Sequence, residues 1–492
     1  MNDLIVKEYD SSKPISLIWK SNKTQLAAGS NLPWVISDGK NLKVNPMILS
    51  DYLKNGKQND KKIFNYYIVK SSDNSNKYHI FVYNKGKYNK MAEDEFKGMI
   101  RLFIPQMLRT NRVVNEIYSD LISSSMFIDE SLFNSDENII NFQDGIFDLT
   151  KKKLLPHSPA YLSTIQIPAK YEDIAASDGK APVFDKYINT LCDNNTDVIE
   201  ILMQCVGLSL SNVYGYRTKK VLFLVGEGNT GKSQIKSLVE TMLGTSNFSS
   251  IDLKNLEKNF GLSTVYGKRL IGSNDMSYQN ISEIEILKQL SGGDNVDMEF
   301  KFGGHLNYKY KGFIWFNCNS LPFFGGDKGD WVYERMMPIV CKNVIPKEKQ
   351  DPYLMDKMLL EKNAIIKRSL QALYRLINKD FKIQLTKEMK KEVEKHKISN
   401  NTLLAFIEEC CEDASDVNVK TKRSTFNKCY DSWCKLNNNN KGKLSNNNMK
   451  LVLERDYDEH FRKSNGIWYM DKLIIRQEIQ QELGVYDTND TI

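Results

Sequence analysis

The sequence predicts a multidomain α/β protein, and three observations lead to that prediction. The chain has 492 residues, more than one hydrophobic core usually spans. Its middle part contains an apolar strand, a glycine loop and a helix in direct succession, followed by further strands and helices in alternation. The two ends differ from this middle part, because the first segment alternates aromatic and polar residues and the tail is mainly helical.

The composition is that of a folded protein, with 41% hydrophobic and 26% charged residues. No uninterrupted apolar stretch reaches the length of about 18 residues that indicates a membrane helix, and the first residues lack a signal-peptide layout. We therefore expect a cytoplasmic protein without membrane contact. The net charge of +7 is compatible with a nucleic-acid partner but does not establish one.

The eight cysteines form no CxxC pair and have no histidine at zinc-finger spacing. A metal ribbon is therefore not expected. The cysteines are predicted to be reduced thiols, most of them buried.

Changes of pattern along the chain predict five segments. Alternating residues such as FNYYIVK predict paired strands near the N-terminus, whereas helices followed by a short strand pair predict a winged helix at the C-terminus. The expected segments are a β-containing module (1–100), a helical region (101–215), an α/β nucleotide-binding core (216–375), a linker helix (376–400) and a winged helix (401–492).

The segment GEGNTGKS fills every fixed position of the phosphate-binding pattern GxxxxGK[ST]. An apolar strand precedes this segment and a helix follows it, so that backbone amides can converge on phosphate oxygens. Lys232 would reach the β and γ phosphates of ATP, and the Ser233 hydroxyl would ligate Mg²⁺. The alternative is a glycine turn with a solvated lysine. The predicted ATP-binding residues are Gly226, Glu227, Gly228, Asn229, Thr230, Gly231, Lys232 and Ser233.

An NTPase also needs a carboxylate at the end of a neighbouring strand to hold Mg²⁺ and its waters. Asp275 follows the apolar residues Leu270 and Ile271, at the position where a strand would end. Asp275 is therefore the second predicted metal ligand. The alternative is an aspartate in an ordinary turn.

Two further segments carry candidate binding residues. The first has polar and aromatic residues alternating around Gly303 and Gly304, which predicts a β-hairpin with Lys301 and His305 beside its turn. The second is a basic stretch in the tail that precedes a helix with Tyr430 and Trp433, aromatic residues that we expect in a core. The basic residues of the tail are Lys420, Lys422 and Arg423, and their alternative is a solvated surface.

The order of the motifs resembles that of superfamily 3 helicases, which are AAA+ proteins. The motifs are GEGNTGKS, KRLIGSND, LKQLSGGD, FIWFNCNSLP and WVYERMMPIV. Together with NFQDGIFDL and a helical collar before the loop, they are most similar to the helicase part of satellite-phage and poxvirus primase-helicases and to replication initiators of phage-related pathogenicity islands. The resemblance covers roughly residues 60–475.

The resemblance implies a role for further residues. Asp275 matches the Walker B acid, Asn319 matches the sensor asparagine that orients the attacking water, and Arg335 matches an arginine finger supplied by a neighbouring subunit. Lys288 and Asp294 lie in the LKQLSGGD element. A finger in trans implies a homo-oligomer, by family usage a hexamer, with ATP and Mg²⁺ as cofactors.

The sequence departs from the family at two positions. Family members usually have a glutamate at the Walker B end, whereas this chain has Asn274 followed by Asp275. This departure predicts slower hydrolysis or help from Asp294. The family's frequent arginine pair is replaced by Glu334 and Arg335, so a structural salt bridge is the alternative role for Arg335.

By the same resemblance, Lys301 and His305 would grip the phosphate backbone from a hairpin in the central channel, and the tail would bind DNA. The alternative for His305 is a structural role. The expected activity is origin binding and 3′ to 5′ unwinding of duplex DNA for a mobile genetic element, with direction taken from the family alone. Expected partners are duplex origin DNA and single-stranded DNA, with a primase and host replication proteins as further candidates.

Two alternatives to this function stay open. The first is an ATP-stabilised DNA-binding initiator oligomer without strong unwinding. The second is the helicase part of a primase-helicase.

Overall fold

The structure is a computed structural model, and it describes most of the chain. The described residues are 32–37, 41–58, 61–62, 64–70, 78–124, 127–258, 260–276, 280–281, 284–301, 304–324, 331–413, 421–437 and 443–485. Gly303 and Lys420, which were named above, lie outside them.

The described residues form strands and helices throughout. The strands are β1 (Val35–Ser37), β2 (Leu42–Val44), β3 (Lys57–Gln58), β4 (Lys61–Lys62), β5 (Tyr66–Lys70), β6 (Tyr78–Asn84), β7 (Lys87–Met91), β8 (Ile139–Phe142), β9 (Gly145–Asp148), β10 (Lys153–Leu155), β11 (Val221–Val225), β12 (Phe248–Ser249), β13 (Leu270–Ile271), β14 (Asn280–Ile281), β15 (Asn295–Phe300), β16 (Gly304–Lys309), β17 (Phe313–Cys318), β18 (Phe323–Phe324), β19 (Met336–Val340), β20 (Cys411–Asp413), β21 (Thr421–Lys422), β22 (Phe461–Ser464), β23 (Ile467–Met470) and β24 (Leu473–Ile475). The helices are α1 (Pro46–Asn55), α2 (Glu93–Leu102), α3 (Asn111–Ser123), α4 (Tyr171–Ala176), α5 (Pro182–Leu191), α6 (Thr196–Ser209), α7 (Lys232–Leu243), α8 (Leu253–Leu256), α9 (Glu285–Gly292), α10 (Trp331–Arg335), α11 (Leu354–Leu360), α12 (Lys362–Ile377), α13 (Lys387–Asn400), α14 (Thr402–Cys410), α15 (Arg423–Leu436), α16 (Asn446–Asp456) and α17 (Gln477–Glu482).

The chain divides into two compact units, which are described separately. The core unit comprises Met1–Ser277, Glu285–Ser320 and Ile339–Gln384, and the tail unit comprises Tyr278–Ile284, Leu321–Pro338 and Leu385–Ile492. Both helices and sheets occur, so the prediction of a mixed α/β, multidomain fold is confirmed. The boundaries of the five predicted segments stay predictions.

The N-terminal part of the core unit contains a three-stranded antiparallel sheet, as the alternating pattern predicted. Strand β6 lies between β5 and β7, with Ile68 opposite Ile80 and Val82 opposite Asn89. Residues from this sheet share one buried cluster with residues of α1, α2 and α3. This part of the chain therefore has a hydrophobic core of its own.

Two predicted helical tracts are each divided in the structure. The tract from Glu95 to Ile122 becomes α2 and α3, because Pro105 lacks the N–H that a continuous helix needs. The tract from Phe184 to Leu210 becomes α5 and α6. Asp193 and Asn194 between them have left-handed backbone angles of φ 53° and 56°, and Asn195 then caps α6.

The central sheet of the core unit has five strands in the order β12-β13-β17-β11-β19. The pairs β12–β13, β13–β17 and β17–β11 are parallel. All residues of β11 and β17 are buried, which explains why both strands are continuous apolar runs in the sequence. Strand β17 therefore lies between the strand before the glycine loop and the strand before Asp275.

Arg269 connects the start of β13 to its surroundings. Its guanidinium donates hydrogen bonds to the carbonyls of Lys311 (2.8 Å), Leu208 (3.3 Å) and Val213 (2.6 Å). Burial lowers the pKa of Arg269 to about 10, so that it stays charged at neutral pH. A buried cation whose hydrogen-bond partners are backbone carbonyls fixes three segments of chain at the same point.

Strands β15 and β16 form the predicted hairpin, with Glu299 opposite His305 and Phe300 opposite Gly304. One face of the hairpin packs against the N-terminal sheet. The ring of Phe300 lies 5.1 Å from that of His79, and Leu306 belongs to a buried cluster with Val69 and Phe81. The opposite face, which contains Asp297 and Glu299, is exposed.

The tail unit combines helices with short antiparallel strands. Its core contains residues of α14, α15, α16 and the strands β23 and β24. Strand β23 lies between β21 and β22, and β20 pairs with β24. The turn between β22 and β23 contains Asn465 and Gly466, both with positive φ, as two-residue hairpins require.

All eight cysteines are free and buried, as predicted. Burial raises the pKa of the Cys318 and Cys341 thiols to about 12. In the described part of the chain, no helix is both long and apolar enough to cross a membrane.

Candidate functional site

The predicted phosphate loop connects β11 to α7 at the carboxyl end of the central sheet. Gly226 passes so close to Cys341 that a Cβ atom at this position would lie 2.3 Å from the Cys341 carbonyl oxygen. Asn229 and Gly231 have left-handed φ values of 63° and 90°. The loop is also anchored from outside, because the Tyr187 hydroxyl donates to the Gly231 carbonyl at 2.8 Å. A strand, a sharply turning loop and a helix N-terminus thus occur in the arrangement that favours anions.

The ammonium group of Lys232 lies inside this loop. Its Nζ donates to the carbonyls of Gly226 (2.5 Å) and Glu227 (2.7 Å) and to the Thr230 hydroxyl (3.2 Å). Burial lowers the pKa of Lys232, and the nearby Cys341, Cys318 and Asp275 oppose this change. The loop therefore contains a cation at its centre.

Ser233 lies beside the segment that was predicted to provide the acid. Its hydroxyl donates to the backbone carbonyl of Asn274 at 3.1 Å. The neighbouring Asp275 is exposed, and its backbone N–H donates to the Ser233-proximal segment at the Ser273 hydroxyl (3.3 Å). The structure thus brings together the two predicted metal ligands, Ser233 and Asp275, although metal binding itself stays a prediction.

The end of β17 joins these elements through Asn317. The Asn317 side chain donates to the Lys232 carbonyl at 2.9 Å, and its Oδ1 accepts from the Trp315 indole at 2.9 Å. Its backbone N–H donates to the Ser273 carbonyl and its carbonyl accepts from the Met276 N–H. Asn317 is fully buried, whereas Asn319, the predicted sensor, is exposed two residues further on.

A buried ion pair lies behind the loop on α7. Lys236 donates to the Glu240 carboxylate at 2.6 Å and to the Gly272 carbonyl at 3.0 Å. The second Glu240 oxygen accepts from the Asn274 side-chain amide at 2.9 Å. Burial lowers the pKa of Lys236, and Glu240 opposes this effect. A carboxylate therefore contacts the position where the family usually has its own glutamate.

Three other predicted residues lie outside this cluster of contacts. Lys288 is 3.9 Å from Glu285 on α9, and Asp294 is an exposed residue after that helix, with its N–H bonded to Gln289. Arg335 belongs to the tail unit, where its guanidinium lies 5.5 Å from the centre of the Trp331 ring. The roles assigned to Lys288, Asp294 and Arg335 stay predictions.

The hairpin residues differ in their surroundings. Lys301 is exposed at the turn, whereas His305 lies on the exposed face with its Nδ1 2.8 Å from the Asp297 carboxylate. The acids Asp297 and Glu299 share this face. Of the two predicted phosphate contacts, Lys301 thus has the more favourable electrostatic environment.

The tail unit has a face on which cations and aromatic rings alternate, here called the wing face. Lys463 lies opposite Trp468 across the β22–β23 hairpin, 5.9 Å from its ring, and Trp468 is 45% exposed. The face continues to Phe461, which Arg423 and Lys450 approach at 5.1 and 6.0 Å. The other described cation of the basic stretch, Lys422, is partly buried at the start of α15.

Arg423, predicted to bind DNA, also has an internal role. It donates to the carbonyl of Asn446 at the start of α16. The sequence gave no reason to select Lys463 and Trp468, because they are far from Arg423 along the chain.

Sequence reasoning also missed Asn317, Lys236 and Glu240. A lysine and a glutamate four residues apart on a helix usually form a solvated pair, and only the packing against β13 shows that this pair is buried. The signal for Asn317 was its position inside an otherwise apolar strand, since a polar residue in a buried strand needs hydrogen-bond partners.

Two family models match the chain. Residues 51–193 match the family described as "D5 N terminal like", and residues 224–335 match a "Family of unknown function (DUF5906)". The second match begins at the end of β11 and extends to Arg335, so it includes the loop, Asp275, the hairpin and Asn319. A comparison with curated protein sequences returns no match.

Solved structures of similar extent also match. "The A form apo structure of NrS-1 C terminal region-CTR" is 11% identical, with a TM-score of 0.48, and the match covers 83% of this chain and 96% of that chain. "The apo structure of NrS-1 C terminal region (305-718)" is 12% identical, with a TM-score of 0.45 and the same coverage. The function proposed below rests on the site geometry and the family models.

The contrast between Asn317 and Asn319 gives a first prediction. Asn317→Asp replaces the amide that donates to Lys232 with a buried carboxylate, and we expect it to lower the free energy of unfolding of the core unit by about 3 kcal/mol. Asn319→Asp is the matched control, because it makes the same change at an exposed position. Urea denaturation followed by circular dichroism measures both. Equal stabilities of the two variants would show that Asn317 does not join these segments.

Proposed function

We propose that the chain is an ATP-driven DNA helicase and replication initiator. The observation that carries this proposal is the loop with Lys232 at its centre, whose neighbour Ser233 contacts the segment of Asn274 and Asp275. A helix N-terminus, a buried cation, a hydroxyl and a carboxylate at one edge of a parallel sheet are the groups that phosphoryl transfer requires.

The residues of this edge fit ATP with Mg²⁺. When ATP binds, Lys232 would exchange its loop carbonyls for phosphate oxygens, and the loop amides would hold the phosphates. The described residues contain no cluster of three or more His, Cys, Asp or Glu side chains that would hold a metal by themselves. Ser233 and Asp275 would therefore share the ion with phosphate oxygens, as Mg²⁺ sites in NTPases do.

The remaining roles follow the resemblance to superfamily 3 helicases. Asn319 would orient the attacking water, and Arg335 of a neighbouring subunit would neutralise charge on the transferring phosphate. This arrangement implies a homo-oligomer, which we expect to be a hexamer. Lys288 and Asp294 would contribute to the same shared site.

Two observations support a replication context. The match to the "D5 N terminal like" family precedes the loop, in the order that the motifs share with poxvirus and satellite-phage primase-helicases. The wing face also combines exposed cations with an exposed indole, the chemistry that binds phosphates and stacks on bases. DNA is therefore the proposed substrate, with a primase and host replication proteins as candidate partners.

One observation favours a second candidate, an ATP-stabilised DNA-binding initiator with little unwinding. The chain has Asn274 instead of the usual acid, and its amide already donates to Glu240. Strand displacement with ATP, compared with a non-hydrolysable analogue, separates the two candidates.

Hydrolysis is tested by Lys232→Ala. A neutral methyl group cannot follow the charge that develops on the phosphates, so we expect the ATP turnover number to fall at least about 100-fold. The control Lys186→Ala removes an exposed lysine of α5 and should retain full activity. Near-normal turnover in the Lys232 variant would remove the loop from the mechanism.

The hairpin is tested by comparing Lys301→Ala with His305→Ala. Loss of one phosphate contact should weaken the binding of forked DNA and reduce the slope of log K against log salt concentration by about 1. We expect this change for Lys301 and a smaller one for His305, which already faces Asp297. Fluorescence anisotropy at several salt concentrations measures both, and strand separation should be impaired in the double variant. If all variants bind as the unmodified protein does, the hairpin does not contact DNA.

The wing face is tested by Trp468→Ala. Stacking of an unpaired base on an indole contributes about 1–3 kcal/mol, so the affinity for single-stranded DNA should fall roughly tenfold. Leu436→Ala is the matched control, because it also removes an exposed apolar side chain (68% exposed) from the tail unit. Identical DNA affinities of the two variants, measured by anisotropy, would argue against the wing face.

A further inference from the structure

The departure at the Walker B position has a structural counterpart in α7. Among the described residues, Asn274 Oδ1 is buried and has no hydrogen-bond partner. Its amide nitrogen, in contrast, donates to Glu240 at 2.9 Å. An unpaired buried acceptor costs free energy, so its retention in a nucleotide site indicates a function.

The contact with Glu240 determines how the Asn274 amide is oriented. A carboxylate only accepts hydrogen bonds, so it must face the NH₂ group of Asn274 and not the oxygen. Glu240 itself cannot move freely, because its other oxygen accepts from the buried Lys236, which in turn donates to Gly272. The chain Lys236–Glu240–Asn274 therefore fixes Oδ1 on the side of the amide that faces away from Glu240.

The same contact explains why an acid is absent at position 274. A carboxylate there would face the Glu240 carboxylate at hydrogen-bond distance with no proton between them, and two such charges repel strongly. Asparagine removes the repulsion and keeps one acceptor oxygen. That oxygen belongs to the residue whose backbone carbonyl accepts from Ser233, next to Asp275.

We propose that Glu240 is a positioning residue of the nucleotide site, which holds Asn274 so that Oδ1 accepts a hydrogen bond from a water of the metal–nucleotide complex. This inference rests on the proposed ATP hydrolysis. Asn274 contributes a neutral acceptor where the family has an acid, and the negative charge lies one residue deeper, on α7.

The test uses a donor–acceptor exchange. Glu240→Gln lets the Asn274 amide pair in either orientation, and Asn274→Asp places two carboxylates face to face. Each single variant should lower the ATP turnover number about tenfold, which corresponds to about 1.4 kcal/mol, with little change in KM. The double variant Asn274→Asp with Glu240→Gln restores one donor opposite one acceptor. Its turnover number should return to within about threefold of the unmodified protein.

A second readout does not depend on turnover. Mn²⁺ is used as a spectroscopic probe for the metal, and its affinity for the protein with a non-hydrolysable ATP analogue is measured by electron paramagnetic resonance. Glu240→Gln should weaken Mn²⁺ binding several-fold while leaving the metal-free affinity for the analogue unchanged. A purely structural role would instead lower the melting temperature and change both affinities together.

The Glu240 variant leaves Lys236 with an altered partner, so a further variant protects the test from misfolding. Lys236→Met with Glu240→Gln removes the buried pair as a unit, and we expect the same tenfold loss of turnover at a near-normal melting temperature. Unchanged turnover in both single variants, or a folded double exchange no faster than Asn274→Asp, would overturn the inference. If Lys232→Ala also hydrolyses ATP normally, the proposed function fails with it, whereas a dead Lys232→Ala leaves that function intact.

Discussion

The hydrogen bonds of Asn317 are the constraint on which the candidate site depends. Three separate pieces of chain meet at this residue: the start of α7 through the Lys232 carbonyl, and the segments before and after Asn274 and Asp275 through Ser273 and Met276. All these bonds lie in a buried region, where an unpaired polar group is costly. The loop and the acidic segment are therefore held at a fixed separation, which a site for a divalent ion and phosphates requires.

The packing of the strand ends makes this meeting possible. Gly272 has φ 135°, and a Cβ atom there would lie 1.8 Å from the Trp315 carbonyl oxygen. The chain after β13 can approach β17 only because this position has no side chain. The same close approach leaves the Gly272 carbonyl available to Lys236, so that the buried ion pair on α7 is fixed to the central sheet.

The hairpin connects the site to the N-terminal sheet within the core unit. Phe300 contacts His79 and lies 4.9 Å from the Lys90 ammonium, while Lys90 also approaches the Tyr266 ring. Burial lowers the pKa of His79 to about 4, with Lys90 adding to the effect, so His79 packs as a neutral ring. The buried face of the hairpin is therefore aromatic, and its charged residues are confined to the other face.

The sequence by itself determined the α/β class, the strand–loop–helix unit, the hairpin and the buried thiols, because each depends on local periodicity or on a short motif. It also placed Lys232, Ser233 and Asp275 at the ends of strands that lie in one sheet. Only the tertiary structure decided which residues join these ends. Asn317, Lys236 and Glu240 act through contacts over 36 to 85 positions of the chain, and no local pattern distinguishes a buried pair from a solvated one. The same holds for Lys463 and Trp468, whose continuity with Arg423 arises when β22 packs against α15 and α16.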